Sequence, residues 1–391
     1  MKFKNYPMLF MLILYPYLPL IKEWSFLLGN VIEIVLITMV IIDCTFYKYG
    51  GKFRIHITSN MLLLFCFLLL YFLLSNNNYD SLSAIRIFLI YYFLNNCFDI
   101  NKYDVVFQHK AKKILVISGT IMAIGAIIQF PFPAIIKALH NPIIWANLSM
   151  KTDFSSLSIY NRSISLLNDP NVMGVFISSI YMLTDNNETI QIRTVFIQIL
   201  LLLAVVLSQS RTAIFITGFY IIVKWYKRIS EQKVNLRYRL VISSLLIVFL
   251  LLICIYHQQI FYFLRIDTLI NGNGRQAKNA NFFENYFDQQ LIYILFGSGI
   301  TIGRNSYVFE NSFLMFLSSF GILGTCILMM IFAVATNRLL IKKNVLVIVC
   351  FILINCVGDY FYIPQIGLVY LVILNINSSN KQIDSKKQFA N

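Results

Sequence analysis

The run LVISSLLIVFLLLICIY, from Leu240 to Tyr256, decides the fold class of this chain, because two serines are its only strongly polar residues. A run of this length and composition is typical of a helix that crosses the hydrocarbon core of a bilayer. The run from Met61 to Leu74 has the same character. Of the 391 residues, 58% are hydrophobic and 13% are charged, so the sequence predicts an all-α, polytopic integral membrane protein.

Hydropathy divides the chain into about twelve predicted spans within a single membrane domain, 1–391. The predicted spans are 6–21, 24–42, 57–74, 82–98, 114–130, 171–184, 194–208, 212–226, 240–256, 311–334, 345–357 and 366–376. The last two could instead form a re-entrant pair. No small-residue cleavage site follows the first apolar segment, so we interpret it as a span and not as a signal peptide.

The net charge of +15 follows the predicted topology. With the amino terminus inside, the cytoplasmic segments hold 22 Lys and Arg against 7 Asp and Glu, whereas the external segments hold 9 of each. This distribution obeys the positive-inside rule and disfavours a nucleic-acid partner. The charge distribution therefore predicts an inner-membrane protein with both termini in the cytoplasm.

The residues that bind metals are dispersed in the sequence. The four histidines are His56, His109, His140 and His257, and none has a second ligand at metal spacing. No Asp-x-Asp pair occurs, which disfavours a metal-dependent transferase that uses nucleotide sugars. The seven cysteines lie in or beside apolar segments, so no disulfide framework is indicated. We expect neither a metal nor another cofactor.

Two predicted external loops are long enough to carry a site, 131–170 and 257–310. In the second, Phe283, Phe287, Leu291 and Ile294 recur at helical spacing, which predicts an amphipathic helix in the membrane interface or packed on the bundle. The loop also holds aromatic residues that could stack on sugars or belong to an interfacial belt: Phe282, Phe283, Tyr286, Tyr293 and Tyr307.

Several motifs occur in a fixed order between residues 160 and 330. They are Asp169-Pro-Asn171-x-x-Gly174, Ser208-Gln-Ser-Arg211, Gly274-Arg275, Phe296-Gly-Ser-Gly299, Glu310-Asn311-Ser-Phe and Gly321-Ile-Leu-Gly324. In order and spacing they resemble the superfamily of O-antigen polymerases and O-antigen ligases. The chain departs from the ligase pattern at Glu310, because a His-Asn pair is usual there, and this favours the polymerase side.

The resemblance implies a GT-C-like helical fold and a metal-independent glycosyltransferase. Members move a glycan from an undecaprenyl pyrophosphate carrier to an acceptor hydroxyl on the external face. The implied partners are lipid-linked donor and acceptor glycans, membrane lipids, a chain-length regulator and a flippase. A pyrophosphate leaving group needs fixed cations, and the planar fork of arginine suits phosphate oxygens.

Arg211, at the outer end of a span, and Arg275, after two glycines, are therefore candidate catalytic residues. Their alternative roles are an interfacial anchor and a solvated loop residue. Glu310 is the candidate general base, with a helix cap or an ion pair as its alternatives. The candidate substrate-binding residues are Arg86, Arg162, Asp169, Asn171, Arg265, Lys278, Arg304 and Asn311.

Simpler roles remain open for several of these residues. Asp169 and Asn171 could cap the following helix, and Arg86 could pair with Glu33 within the membrane. Two other functions also remain open: a ligase that transfers polymer to lipid A core, and a flippase or other transporter of lipid-linked oligosaccharides. Transporters carry polar residues at the membrane midplane and often show repeats, whereas the candidates here are external and we find no repeat.

Overall fold

The computed structural model describes residues 6–48, 105–142, 162–167, 169–184, 192–231, 282, 284–297, 311–340, 345–357, 360, 366–367 and 369–370. Within these ranges the chain is helical and contains no strand, which confirms the all-α class. The helices are α1 (Tyr6–Leu14), α2 (Leu18–Trp24), α3 (Phe26–Lys48), α4 (Val105–Gln129), α5 (Pro133–Lys137), α6 (Pro170–Thr184), α7 (Ile192–Leu207), α8 (Arg211–Glu231), α9 (Leu291–Phe296), α10 (Ser312–Leu340) and α11 (Val345–Val357).

One helical stretch in the described part of the chain, His109–Gln129, combines the length and the apolar composition needed to cross a bilayer. Shorter apolar stretches lie in α3, α6, α7, α10 and α11. These helices match predicted spans to within a few residues, except that several extend further at the end predicted to face the cytoplasm. The predicted spans 57–74, 82–98 and 240–256, and most of 366–376, lie outside the described residues.

Helix α6 is the centre of the bundle. It packs against α4, α7 and α8, and all of its residues except Asn171 and Val172 are buried. The approach of α4 is close, because a Cβ atom on Gly119 would lie 2.6 Å from a methyl group of Ile180. The body of α6 is therefore enclosed by other helices, whereas Asn171 and Val172, in its first turn, remain partly exposed.

The first predicted span is wrong as a single helix. A 3-10 segment, Tyr15–Tyr17, separates α1 from α2. Pro16 and Pro19 each lack a backbone N–H donor and lie within the first two positions of the 3-10 segment and of α2, where proline is tolerated, so the α-helical hydrogen bonding is interrupted between them. After α2, Ser25 caps α3, because its Oγ accepts a hydrogen bond from the Leu28 amide at 3.3 Å.

The predicted amphipathic helix is also not continuous. A turn at 287–290 separates helical residues 284–286 from α9. The face that packs inward carries Phe282 and Tyr286, which lie against Leu314 and Met315. Phe287 and Leu291, on the predicted apolar face, are instead exposed. Burial of Phe282 and Tyr286 removes them from the aromatic residues that could stack on a sugar.

Candidate functional site

The amino-terminal end of α6 is fixed by Asp169. One carboxylate oxygen, Oδ1, accepts hydrogen bonds from the amides of Asn171 at 2.7 Å and Val172 at 3.1 Å. A carboxylate at this position satisfies amides that have no partner within the helix and interacts favourably with the helix dipole. The predicted cap is therefore confirmed for Asp169. Asn171 lies within the first turn, and its side chain has a different contact.

The turn between α7 and α8 holds the Ser208-Gln-Ser-Arg211 motif. Gln209 has a φ of 49°, in the left-handed region, which reverses the chain direction within a few residues. The Ser208 hydroxyl accepts a hydrogen bond from the Ser210 amide at 3.1 Å. Ser210 in turn caps α8, because its hydroxyl accepts from the Ala213 amide at 3.4 Å. Arg211 is thereby placed at the first position of α8.

Gly174 allows the two motifs to pack together. A Cβ atom at this position would lie 2.6 Å from the Ser208 Oγ and 2.9 Å from the Cβ atoms of Ser210 and Ala213. Because protein interiors are closely packed, any side chain here would push α6 away from the turn. In the sequence, the Asp169–Gly174 and Ser208–Arg211 motifs were connected only by their order along the chain. In the structure they are in direct contact.

Arg162 links the two motifs. Its Nη2 donates to Oδ1 of Asn171 at 2.6 Å, and its Nε donates to the Ser208 carbonyl at 3.2 Å. Both acceptors are neutral oxygens, and the two contacts together fix the orientation of the guanidinium. Asn171 thus contacts Arg162 and does not act as the cap.

The segment 162–167 is held against α4 by polar contacts. Oε1 of Gln129 accepts from the amides of Ile164 and Ser165, both at 2.9 Å, and the Ser165 hydroxyl donates to the Met122 carbonyl at 2.6 Å. Ser165 has a φ of 53°, which is uncommon for a residue with a side chain. Such conformations persist when the surroundings fix them, as these contacts do.

His140 forms a buried contact that the sequence did not predict. Its Nδ1 lies 2.8 Å from Oε2 of Glu23, and its Nε2 lies 2.8 Å from the Ser165 carbonyl oxygen. Burial alone would lower the pKa of His140. The hydrogen bonds with Glu23 and Ser165 and the charge of Glu23 outweigh burial, so the pKa lies above its usual value. One feature of the sequence could have indicated this contact, because Glu23 and His140 both lie in predicted external segments.

A second polar contact lies at the start of α10. Oδ1 of Asn311 accepts hydrogen bonds from the amides of Phe313 at 2.9 Å and Leu314 at 3.3 Å. Asn311 is therefore the cap of α10, whereas Glu310, for which capping was an alternative role, lies outside the described residues. The Ser312 hydroxyl donates to Oδ1 of Asn355 at 2.9 Å, which fastens this end of α10 to α11.

The glycine motifs in the second half of the chain also meet. Gly321 interrupts α10 with a φ of 64° and a ψ of −172°, a conformation that is essentially restricted to glycine. Its Cα lies against the backbone of Leu295 and Phe296, and Gly297 lies against Ser319 and Phe320. The Phe296-Gly-Ser-Gly299 and Gly321-Ile-Leu-Gly324 motifs are therefore packed backbone to backbone.

Five of the predicted site residues are described: Arg162, Asp169, Asn171, Arg211 and Asn311. The first three form one contact network with Ser208, and Arg211 begins the helix that follows this turn. The predicted residues that lie outside the described part of the chain are Arg86, Arg265, Arg275, Lys278, Arg304 and Glu310. Glu33, considered as a partner for Arg86, forms a 2.6 Å ion pair with Lys22.

This arrangement can hold an anion but lacks an evident metal site. The guanidinium of Arg162 is part-buried and oriented by fixed acceptors, which favours charge-assisted contacts with phosphate or carboxylate oxygens. Among the residues that the structure describes, no group of three or more His, Cys, Asp and Glu side chains is placed to bind a metal ion. Comparison with known proteins gave no match to a family model, a curated protein or a solved structure.

Proposed function

We propose that the chain is a polymerase of a bacterial surface polysaccharide such as O-antigen, embedded in the inner membrane through about twelve spans. The contact between the Asp169–Gly174 and Ser208–Arg211 motifs, with Arg162 bound to both, carries the proposal. Two separate parts of the sequence, 162–174 and 208–211, meet there, and such a meeting of polar residues from distant segments is what an active site requires.

The substrates would be two glycans linked to undecaprenyl pyrophosphate, the growing chain and a new repeat unit. A hydroxyl oxygen of the new unit attacks the anomeric carbon of the growing chain, and the bond between that carbon and the pyrophosphate oxygen breaks. Undecaprenyl pyrophosphate leaves with the bonding electrons, and the hydroxyl proton passes to a base. The product is one unit longer and remains linked to the carrier of the new unit.

In this mechanism the arginines bind the diphosphate as its negative charge increases. Arg162 is held rigid by Asn171 and Ser208, and Arg211 lies at the amino-terminal end of α8, where the helix dipole also favours anions. Arg275 would be a third cation. Glu310 directly precedes the Asn311 cap and would be the base, a role typically worth ~10² to 10⁴ in rate.

The test is the lipopolysaccharide ladder of a deletion strain complemented with variants. A core that carries one repeat unit indicates that a polymerase was lost. A bare core with polymer still on its lipid carrier indicates a ligase, and repeat units trapped on the cytoplasmic side indicate a flippase. Either of the last two patterns would overturn the proposal.

Two variants then test the assigned roles at normal protein level. Glu310→Gln retains the size and hydrogen-bonding reach of the side chain but removes its basicity, so long-chain polymer should disappear. Arg211→Ala should have the same effect, and Lys should rescue poorly because it lacks the bidentate fork. The matched controls are Glu284→Gln, an exposed carboxylate in the same loop, and Arg193→Ala, an exposed arginine at the start of α7. Both controls should give a full ladder.

A further inference from the structure

The hairpin formed by α2 and α3 is fastened to the loop after α4 by three polar contacts, and a fourth joins His140 of that loop to segment 162–167. Two of them do not titrate: Nδ2 of Asn141 donates to the Glu23 carbonyl at 3.1 Å, and Nε1 of Trp24 donates to the Leu139 carbonyl at 2.9 Å. The other two are the contacts of His140 itself with Glu23 and with Ser165. His140 thereby connects the amino-terminal hairpin to the segment that carries Arg162.

The hydrogen-bond roles of His140 fix the number of protons in this cluster. The Ser165 carbonyl can only accept, so Nε2 of His140 must carry a proton. The 2.8 Å contact between Nδ1 and Oε2 of Glu23 then requires a second proton, on one atom or the other. If that proton leaves to bulk water, a nitrogen lone pair faces a carboxylate oxygen and the contact becomes repulsive.

The surroundings make the shared proton important. His140 is 1% exposed and Glu23 is 8% exposed. The other oxygen of Glu23, Oε1, has no hydrogen-bond partner among the described residues, so the ionised carboxylate depends on its contact with His140. Removing a partner from a buried charge is costly.

The other charged side chains near the cluster either contact residues outside it or, like Lys137, precede His140 in the same loop. Lys22, beside Glu23, pairs with Glu33, and Asp169, in the loop beyond Ser165, caps α6. Arg162, in that same loop, is bound to Asn171 and Ser208, while Lys137 lies on α5, just before His140. Helix α4 contributes the neutral Gln129 to this region. The carboxylate of Glu23 is in direct contact with the ring.

We propose that Glu23, His140 and Ser165 form a pH-sensitive joint that fastens the amino-terminal hairpin to the segment carrying Arg162, closed at acidic and neutral pH and loosened as pH rises. The sign follows from the two states of the protein. Because the pKa of His140 is raised on folding, the joint contributes its full stability below the unfolded value of about 6.5 and loses it as pH rises through the folded value. The contacts of Asn141 and Trp24 persist, so the loosening is local.

The proposal is tested with the purified full-length protein in detergent, by thermal unfolding from about pH 5.5 to pH 9. We expect the Tm of the wild type to fall by about 2–4 °C more than that of His140→Gln over this range. In Glu23→Gln the amide can donate to Nδ1 of a neutral His140, so the additional fall should disappear there too. His109→Gln removes an exposed histidine of α4 and should retain the wild-type profile.

Hydrogen exchange locates the effect. The amides of Ile164 and Ser165 should lose protection over the same pH range in the wild type but not in Glu23→Gln, after correction for the intrinsic pH dependence of exchange. Parallel pH profiles for the wild type and Glu23→Gln in both measurements would overturn the proposal, even if His140→Gln did not accumulate. No polysaccharide is needed, so the outcome is independent of the proposed function.

Discussion

Gly297 and Gly321 make a reciprocal backbone contact. Gly297 lies against the peptide group between Ser319 and Phe320, just before Gly321. Gly321 lies against the peptide group between Leu295 and Phe296, just before Gly297. Both residues have positive φ angles, of 81° and 64°. Gly321 divides α10 into two helical parts, and the contact holds the end of α9, within the predicted loop 257–310, against it. Hydrogen bonding continues beyond the interruption, since the Thr325 hydroxyl donates to the Gly321 carbonyl at 2.8 Å.

The first prediction concerns this contact. Gly321→Ala should lower the free energy of unfolding by at least ~1–3 kcal/mol, because alanine is strained at this φ and its methyl group meets the Leu295 carbonyl. Gly218→Ala is the matched control, since Gly218 lies within α8 and a Cβ atom there meets nothing within 4 Å. It should raise stability by roughly 0.5–1 kcal/mol. Thermal unfolding in detergent measures both, and equal Tm values would contradict the interruption of α10.

The second prediction is that Arg162 and Asn171 act as a pair. Arg162→Ala removes the donor from the Asn171 oxygen and the Ser208 carbonyl, and we expect a loss of ~1–3 kcal/mol in stability. In a double-mutant cycle with Asn171→Ala, the coupling energy should exceed about 0.5 kcal/mol. Strictly additive losses would show that the 2.6 Å contact does not form. If the polymerase proposal holds, Arg162→Ala also shortens the polysaccharide ladder.

The third prediction concerns Tyr286, whose hydroxyl donates to the Ile294 carbonyl at 2.9 Å. Burial raises the pKa of Tyr286 to about 12, above its unfolded value of about 10. A raised pKa means that the neutral phenol stabilises the fold below pH ~10, and that this contribution is lost as pH rises toward 12.

Tyr286→Phe tests this. The stability difference from the wild type should stay constant up to about pH 10 and then decrease. Tyr226→Phe, at a position that is 75% exposed, should show no such pH dependence of its difference. A constant difference between wild type and Tyr286→Phe across the whole pH range would contradict the buried phenol.

The fourth prediction is the membrane topology that the charge distribution indicates. Reporters fused after Lys151 and after Lys278 should report the external compartment, and those fused after Arg228 and Lys342 should report the cytoplasm. Compartment-specific enzyme reporters measure this directly. A cytoplasmic signal at Lys278 would rule out the proposed mechanism, because the lipid-linked glycans would then be on the opposite face.

The sequence by itself determined the helical class, the approximate positions of α3, α4, α6, α7, α8, α10 and α11, and the cap at Asp169. These features are local. Apolar composition over about 20 residues indicates a helix of a given length, and a capping side chain bonds to amides two or three positions away. The interruption of the first span by Pro16 and Pro19 was equally local, so attention to proline would have predicted it.

Only the tertiary structure decided which polar groups meet. Glu23 and His140 are 117 residues apart in sequence, and Arg162 lies 46 residues from the carbonyl of Ser208 that it contacts. Hydropathy places such residues at the same side of a membrane but cannot specify which helix packs beside which. The buried face of Phe282 and Tyr286 was likewise decided by packing against α10, although the helical spacing of Phe287 and Leu291 favoured the opposite face. Side-chain contacts between distant segments depend on the bundle as a whole, because the space available to each residue is set by helices that are remote in sequence.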